Sequence, residues 1–352
     1  MISKINKMNT KLLIVLVLIG LSVADVIESA DEAIFEQFQD FLKIYQKKYT
    51  TIEEFQLRWE IFRDNFEKIE SLNRMSKKKE VEITYESGVT EYFDMTPEEF
   101  SKQYLTLDIS HLQRIKASKS QNKIIPTLTN GSAPESWDWR EQGVVSNVKN
   151  QGACGSCWAF SAVGNIEAQY TIKSKKSAIL SEQQLVDCDK VDQGCNGGLM
   201  EDAFKYLEGT AGLMQSTDYN YSGRHGDCKY DQSKALVKVT GYKFAGTEDE
   251  DQIKQILYET GPMAIAINAT PLQFYIFGVF DPHFSWVCNP KSLNHGVLLV
   301  GYGVAKGKPY WIVKNSWGSG WGEKGYFRIV AGKGACGVNT YVISAEIEEV
   351  SY

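Results

Sequence analysis

Cysteine is missing from the first 150 residues of this 352-residue chain, and seven cysteines follow. That asymmetry alone suggests two units. Basic excess is missing as well: 38 Lys and Arg stand against 44 Asp and Glu, a net charge of −6. A nucleic-acid binder usually carries a strong positive excess, so that class is set aside. Beyond the N-terminus no segment reaches the roughly 18 apolar residues of a membrane span. Histidine is scarce, with four in all. No two histidines are adjacent, and no second Cys-x-x-Cys accompanies Cys154 and Cys157. Zinc wants four ligands in compact spacing, so a metal site is not expected. No internal repeat and no low-complexity tract is present.

The N-terminus has the marks of a secretory signal. Lys4, Lys7 and Lys11 precede the apolar run "LLIVLVLIGL" (12–21), and Ser22 and Ala24 supply the small residues before a cut. The expected signal peptide is 1–24, which places the chain in the secretory pathway. An oxidising lumen favours disulfides. Seven is odd, so at most three bridges form and one thiol is left over.

Two amphipathic helices are expected next. "DEAIFEQFQDFLKIYQKKY" (31–49) spaces Phe35, Phe38, Phe41 and Tyr45 by three and four residues. "EEFQLRWEIFRDNFEKIESLN" (53–73) aligns Phe55, Trp59, Phe62, Phe66 and Ile69. Such wide aromatic stripes need a packing partner. Residues 108–133 lose all periodicity and read as an exposed linker, where proteases cut. Helical patterns at 157–174, 180–188 (with a Ser-x-x-Gln capping box at Ser181) and 199–209 come first in the remainder. Strand patterns at 262–269, 295–303, 310–317 and 325–330 follow. Helices before strands imply an α+β domain of two subdomains with a cleft between them.

"NQGACGSCWAF" (150–160) holds the Cys154/Cys157 pair. Read alone, it is a redox pair, half a zinc site, or a bridged cysteine beside a reactive one. Cys157 opens a predicted helix, whose N-terminus stabilises a thiolate and lowers its pKa. A nucleophilic thiol needs a base. The candidates are His225, His283 and His295, of which His295 begins an apolar strand. Asn315, at a strand end, can accept an imidazole N–H, with Trp317 shielding that bond. Gln151 and the backbone N–H of Cys157 can serve a developing oxyanion.

"QGACGSCWAFS" resembles the nucleophile segment of the papain-like cysteine proteases. "GCNGG" (194–198), "LNHGVLLVGYG" (293–303) and "VKNSWGSGWGEKGYFRI" (313–329) follow in that family's order. The resemblance implies an α+β papain-like fold for 133–352, with a helical left domain and a β-barrel-like right domain. It makes Cys157 the nucleophile, His295 the base, Asn315 its orienting residue and Gln151 the oxyanion donor. Glu54, Arg58, Phe62, Asn65, Ile69 and Asn73 match the interspersed ERFNIN motif of cathepsin L-type propeptides. The later GxNxFxD motif keeps Gly88 and Asp94, but Thr90 and Tyr92 replace its Asn and Phe. Residues 25–132 are thus expected to be an inhibitory propeptide, of the I29 type, lying along the cleft.

The same resemblance implies bridges Cys154–Cys195, Cys188–Cys228 and Cys288–Cys336. It assigns substrate binding to Gly197, Gly198, Leu199, Met200, Ala266, Leu293, Gly296, Trp317 and Tyr341, an apolar S2 wall that favours a hydrophobic P2 residue. With no His-His pair for an occluding loop, an endopeptidase on protein and peptide substrates is expected. It would be a monomer, need no cofactor and meet cystatin-type inhibitors, in a lysosome, an acidic vacuole or outside the cell. No membrane contact is expected once the signal is removed. The alternative is a catalytically inactive papain-fold binding or storage protein. Sequons at Asn130, Asn220 and Asn268 are candidate glycosylation sites.

Overall fold

The computed structural model describes residues 31–77, 84–107, 132–282 and 288–350. The expected signal peptide, His283, the sequon at Asn130 and most of the linker lie outside the described residues. Among the described residues no helix is long and apolar enough to cross a membrane.

The N-terminal unit is built on helices α1 (Asp31–Ile44) and α2 (Ile52–Lys77). The sequence predicts α1 to residue 49. It stops earlier because Gln46 turns to a φ of 52° and the Lys47 amide bonds back to Leu42. The aromatic stripes meet each other: Phe35, Phe38, Phe41, Trp59, Phe62 and Ile69 form one core with Phe93. Each fully buried ring here stabilises the pair by roughly 1.5–3 kcal/mol. After strand β1 (Tyr85–Ser87) comes α3 (Pro97–Tyr104). Thr96 and Glu99 close a complete capping box on α3, with Pro97 in its first turn.

The larger unit opens with β2 (Trp137–Asp138) and the central helix α4 (Cys157–Ser174). α4 is buried on every side over its first twelve residues, the pattern of a helix inside a core. Helices α5 (Glu182–Cys188) and α6 (Met200–Glu208) pack beside it. At α5 the predicted capping box is one-sided. Ser181 accepts the Gln184 amide at 3.1 Å, but the Gln184 side chain turns away to Gly212 and Met214. Tertiary partners out-compete the reciprocal cap there.

Strands β3 (Leu213–Met214), β4 (Ala235–Phe244), β5 (Met263–Ile267), β6 (Tyr275–Phe280), β7 (His295–Ala305), β8 (Lys308–Lys314), β9 (Tyr326–Val330) and β10 (Tyr341–Glu349) complete the chain, with α7 (Glu250–Thr260) between β4 and β5. They form one open sheet in the order β1-β6-β9-β8-β7-β5-β10-β4-β3, with β2 on β7. Two large cores result. One gathers Trp158, Phe204 and Leu207 with Val237 and Ile343. The other gathers Trp311, Trp321 and Phe327 with Ile256 and Leu299. Three disulfides join Cys154–Cys195, Cys188–Cys228 and Cys288–Cys336, and Cys157 is left as a buried free thiol.

Candidate active site

Cys157 is the first residue of α4 and His295 the first of β7. Glycine makes their approach possible: a Cβ on Gly296 would lie 3.0 Å from Met200 Sδ and 3.2 Å from the Cys157 carbonyl. Ser161 of α4 then donates to the Val297 carbonyl at 2.7 Å and fixes the two elements together. Antiparallel pairing sets Leu298 against Lys314, so Asn315, just past β8, arrives beside His295. Asn315 Oδ1 lies 2.8 Å from His295 Nε2. An amide oxygen can only accept, so Nε2 carries the proton. Nδ1 makes no hydrogen bond of ordinary geometry to any described residue. The Trp317 ring lies over the imidazole, 4.8 Å between centroids. His225 sits on an exposed loop and takes no part.

Gln151 is fully buried within the nucleophile segment. Its main-chain amide donates to the Ser316 carbonyl at 2.8 Å, and its Oε1 accepts the Ser316 hydroxyl at 2.7 Å. Its Nε2 donates to the Cys154 carbonyl at 3.1 Å and reaches the Tyr104 carbonyl at 3.5 Å.

The second contact shows what covers the site. Tyr104 ends α3, and the chain continues across the cleft. Thr106 Oγ1 donates to the Gly155 carbonyl at 2.8 Å, and the Leu107 amide donates to the Asn294 carbonyl at 3.1 Å. Leu107 also pairs with Gly198 in a parallel bridge. Gly155 and Gly197 lie so close to Thr106 that a Cβ on either would collide with it. Gly197 has a φ of 127°, which glycine adopts at no steric cost.

Burial under this segment sets the electrostatics. It pushes the Cys157 thiol up to about 11, against the pull of the Gly296, Thr106 and Trp158 amides. Burial also drives His295 down to about 4, although Asn315 and the Tyr104 backbone work the other way. The sequence predicts a lowered thiol pKa from the helix N-terminus. In this covered state desolvation wins, and both groups are neutral at ordinary pH.

The comparisons with known proteins agree with this arrangement. Residues 133–346 match the model of the papain family cysteine proteases, and residues 38–100 match the cathepsin propeptide inhibitor domain (I29). The chain belongs to the papain family of cysteine proteases. It is 43% identical over 321 residues to cysteine proteinase 15A of Pisum sativum, covering 87% of this chain and 84% of that one. It is 41% identical over 314 residues to mouse cathepsin F, covering 88% of this chain and 64% of that one. Among solved structures, the digestive procathepsin L2 proteinase of Tenebrio molitor larval midgut superposes with a TM-score of 0.81 at 36% identity, over 89% of this chain and 99% of that one.

In this papain-family zymogen the ERFNIN positions brace the propeptide internally, and Gln273 of the peptidase domain ties it down by donating to the Tyr92 and Met95 carbonyls at 3.0 and 2.9 Å. Arg58 donates to the Asp94 carbonyl and to Glu99, and Asn65 donates to the carbonyls of Phe93 and Met95. The two departures from the GxNxFxD motif are accommodated. Thr90 donates to the Gln273 carbonyl at 2.7 Å, and Tyr92 meets Trp317 edge-on at 5.5 Å. Asp94 accepts from Lys47 at 2.9 Å and from Tyr49 at 2.7 Å. β1 adds to the edge of β6.

The apolar positions expected at S2 all lie in the large core around Trp158 and Phe204. Leu199, Met200, Ala266, Leu293 and Tyr341 are buried in one apolar cluster, and propeptide Leu107 belongs to the same cluster. Of the sequons, Asn220 is exposed. Asn268 is buried with its Nδ2 donating to the Asn289 carbonyl at 3.2 Å, so a glycan there would break that bond. Sequence reasoning missed Ser316, Tyr104 and Thr106. Ser316 adjoins Asn315 and could have been suspected. Nothing in "YLTL" (104–107) marks it as a cleft-crossing segment.

Proposed function

We propose that the mature enzyme is an endopeptidase using Cys157, His295 and Asn315, with a preference for a hydrophobic P2 residue. The observation that carries this reading is the meeting of α4 and β7: Gly296 packs so closely that a Cβ on it would lie 3.2 Å from the Cys157 carbonyl, and the adjacent His295 is held by Asn315 at 2.8 Å. Once the cleft is open, a proton passes from the thiol to His295. The thiolate attacks the scissile carbonyl carbon, and the Gln151 amide and the Cys157 N–H stabilise the oxyanion. His295 gives its proton to the leaving amine, leaving a thioester. Water, deprotonated by His295, attacks that thioester and frees the acid and the thiol. The steps need no cofactor.

Leu107 supports the P2 reading, because this propeptide leucine pairs with Gly198 and is buried in the same apolar core as Leu199, Met200 and Tyr341. Its parallel bridge to Gly198 means the propeptide is not laid down as an antiparallel partner of that edge. We assign residues 1–24 to a signal peptide, 25–132 to the propeptide and 133–352 to the peptidase domain. Acid promotes a cut between about Leu128 and Pro134. The product is a monomeric enzyme of an acidic vacuole, a lysosome or the extracellular space, open to cystatin-type inhibitors and carrying any glycan at Asn220 in preference to Asn268.

An epoxide affinity probe on the acid-treated protein, read by mass spectrometry, tests the assignment. The probe should modify Cys157 alone. Modification of other residues with Cys157 untouched would overturn it. A fluorogenic peptide set varied at P2 tests the pocket.

A further inference from the structure

A loop between β3 and β4 reaches the nucleophile segment with a single hydroxyl. Tyr221 donates its O–H to the Gln151 carbonyl at 2.8 Å and lies 2.7 Å from Ser156 Oγ. A phenol has one proton. With that proton on the Gln151 carbonyl, Ser156 must be the donor to Tyr221. Ser156 is fully buried and directly precedes Cys157. It stands at the N-cap of α4 yet makes no capping bond with its side chain, an unusual use of a serine at that position. Its hydroxyl is turned to Tyr221 instead. The Phe160 ring meets the Tyr221 ring edge-on at 4.9 Å and fixes the phenol in place.

We propose that Tyr221 is a positioning residue for acyl transfer: its hydroxyl ties the main chain of Gln151 to Ser156 and so sets the oxyanion donor relative to the nucleophile. This rests on the reading of Gln151 as that donor. The geometry supplies the logic. Ser316 holds the Gln151 amide and Oε1 from one side. Tyr221 holds the carbonyl from the other, so the Gln151 side chain hangs from a Cα whose two flanking peptides are both pinned. Without the phenol O–H, the second of these can tilt and Nε2 moves away from where charge develops. Loss of a whole oxyanion donor costs about 100- to 1,000-fold in kcat, so misplacing one should cost less, about 5- to 20-fold. Tyr221 lines no substrate pocket described above, so KM should be unmoved.

The test is a double-mutant cycle on the acid-matured enzyme, with rates normalised by active-site titration. Tyr221→Phe keeps the ring on Phe160 and removes only the hydroxyl. Expected are a kcat lower by about 5- to 20-fold and a KM within about twofold. In a Gln151→Ala background, Tyr221→Phe should cost nothing further. Multiplying losses in the two backgrounds, an effect on KM alone, or a wild-type kcat for Tyr221→Phe would each overturn the proposal. Full activity of Gln151→Ala would instead sink the oxyanion reading itself. If Tyr221→Phe does not mature, Ser156→Ala cuts the same link from its other end and must show the same non-additivity.

Discussion

Asn315 Oδ1 accepts from two donors at once: His295 Nε2 at 2.8 Å and the Ser316 amide at 2.8 Å. The second bond locks the amide oxygen toward the ring, so Nε2 keeps the proton and Nδ1 is left as the basic nitrogen. Trp317 covers the pair and keeps the local dielectric low, where a hydrogen bond is worth more. Asn315→Ala removes the anchor while leaving the nucleophile. A lost buried hydrogen bond of about 1–3 kcal/mol should lower kcat/KM about 5- to 150-fold. Titrated enzyme and a single peptide substrate suffice to measure it. Unchanged kcat/KM would remove Asn315 from the mechanism.

The covered site has its own signature. Between about pH 4 and about pH 11 both Cys157 and His295 are neutral in the zymogen, because burial raises the thiol and lowers the imidazole. Alkylation of unprocessed zymogen by iodoacetamide should therefore be slow from pH 5 to 8 and rise only toward strong alkali. After propeptide removal the rate should reach a plateau in that range. A zymogen that alkylates as fast as mature enzyme at pH 6 would contradict the burial argument.

Much of this site is legible in the sequence, and the exceptions have physical causes. Helix α4 begins at Cys157 and ends at Ser174 as the sequence predicts, and Lys175 turns left-handed at a φ of 60° just beyond it. The cap at Ser181 is only half legible, because Gly212 and Met214 claim the Gln184 side chain. Helix α3 carried a plain signal in Thr96, Pro97 and Glu99 that periodicity alone does not reveal in eight residues. Tyr104, Thr106 and Tyr221 act through contacts about 47 to 70 residues away, and local pattern has no access to those. The net shift of Cys157 in the zymogen is out of reach for the same reason: the helix terminus is local, while the segment that buries the thiol comes from the other unit.

Acid release should depend on Glu99. Burial by itself would raise this carboxyl, but the bonds from Arg58 and Thr96 hold it below the ordinary range. Arg58 and Thr96 belong to the propeptide, as Glu99 does, so the depressed pKa supports the propeptide fold that docks: this support is full above the unfolded value and is lost as pH falls through the folded one. Glu99→Gln removes the charge at every pH. Its processing at pH 7 should quicken by about 2- to 5-fold, the size of a partly exposed ion pair, and the contrast between pH 7 and about pH 3, below the depressed carboxyl, should shrink. Both can be followed by gel after adding a fixed amount of mature enzyme. Identical contrast in the variant would exclude Glu99 as a contributor.

Behind the site, Lys149 bonds to Glu167 and Glu182, and Ser146 links Glu167 to Lys314. Burial raises Glu182 to about 7. A raised carboxyl stabilises the fold most below its unfolded pKa, so stability should decline as pH climbs from about 4.5 to 7. Burial lowers Lys314 to about 8, and it titrates outside that window. Glu182→Gln should flatten the decline by on the order of 2 kcal/mol, read from urea midpoints at both pH values. An equally steep decline in the variant would locate the titrating group elsewhere.

The floor of the S2 cluster provides the specificity test. Tyr341 begins β10, is fully buried, and its hydroxyl accepts the Glu201 amide at 3.1 Å. Burial raises its pKa well above the ordinary phenol value, so it stays neutral. On the proposed S2 assignment, a neutral, bulky floor should give an apolar pocket that takes hydrophobic P2 residues and offers nothing to Arg. Tyr341→Ala deepens that pocket and should raise the kcat/KM ratio of Phe over Val at P2 by about 10-fold, the worth of 1–2 kcal/mol of extra apolar contact. The same truncation costs stability by about 3–5 kcal/mol, so the ratio, taken on titrated enzyme, is the quantity to read. A variant that titrates as active and keeps the wild-type Phe/Val ratio would move the pocket floor away from Tyr341.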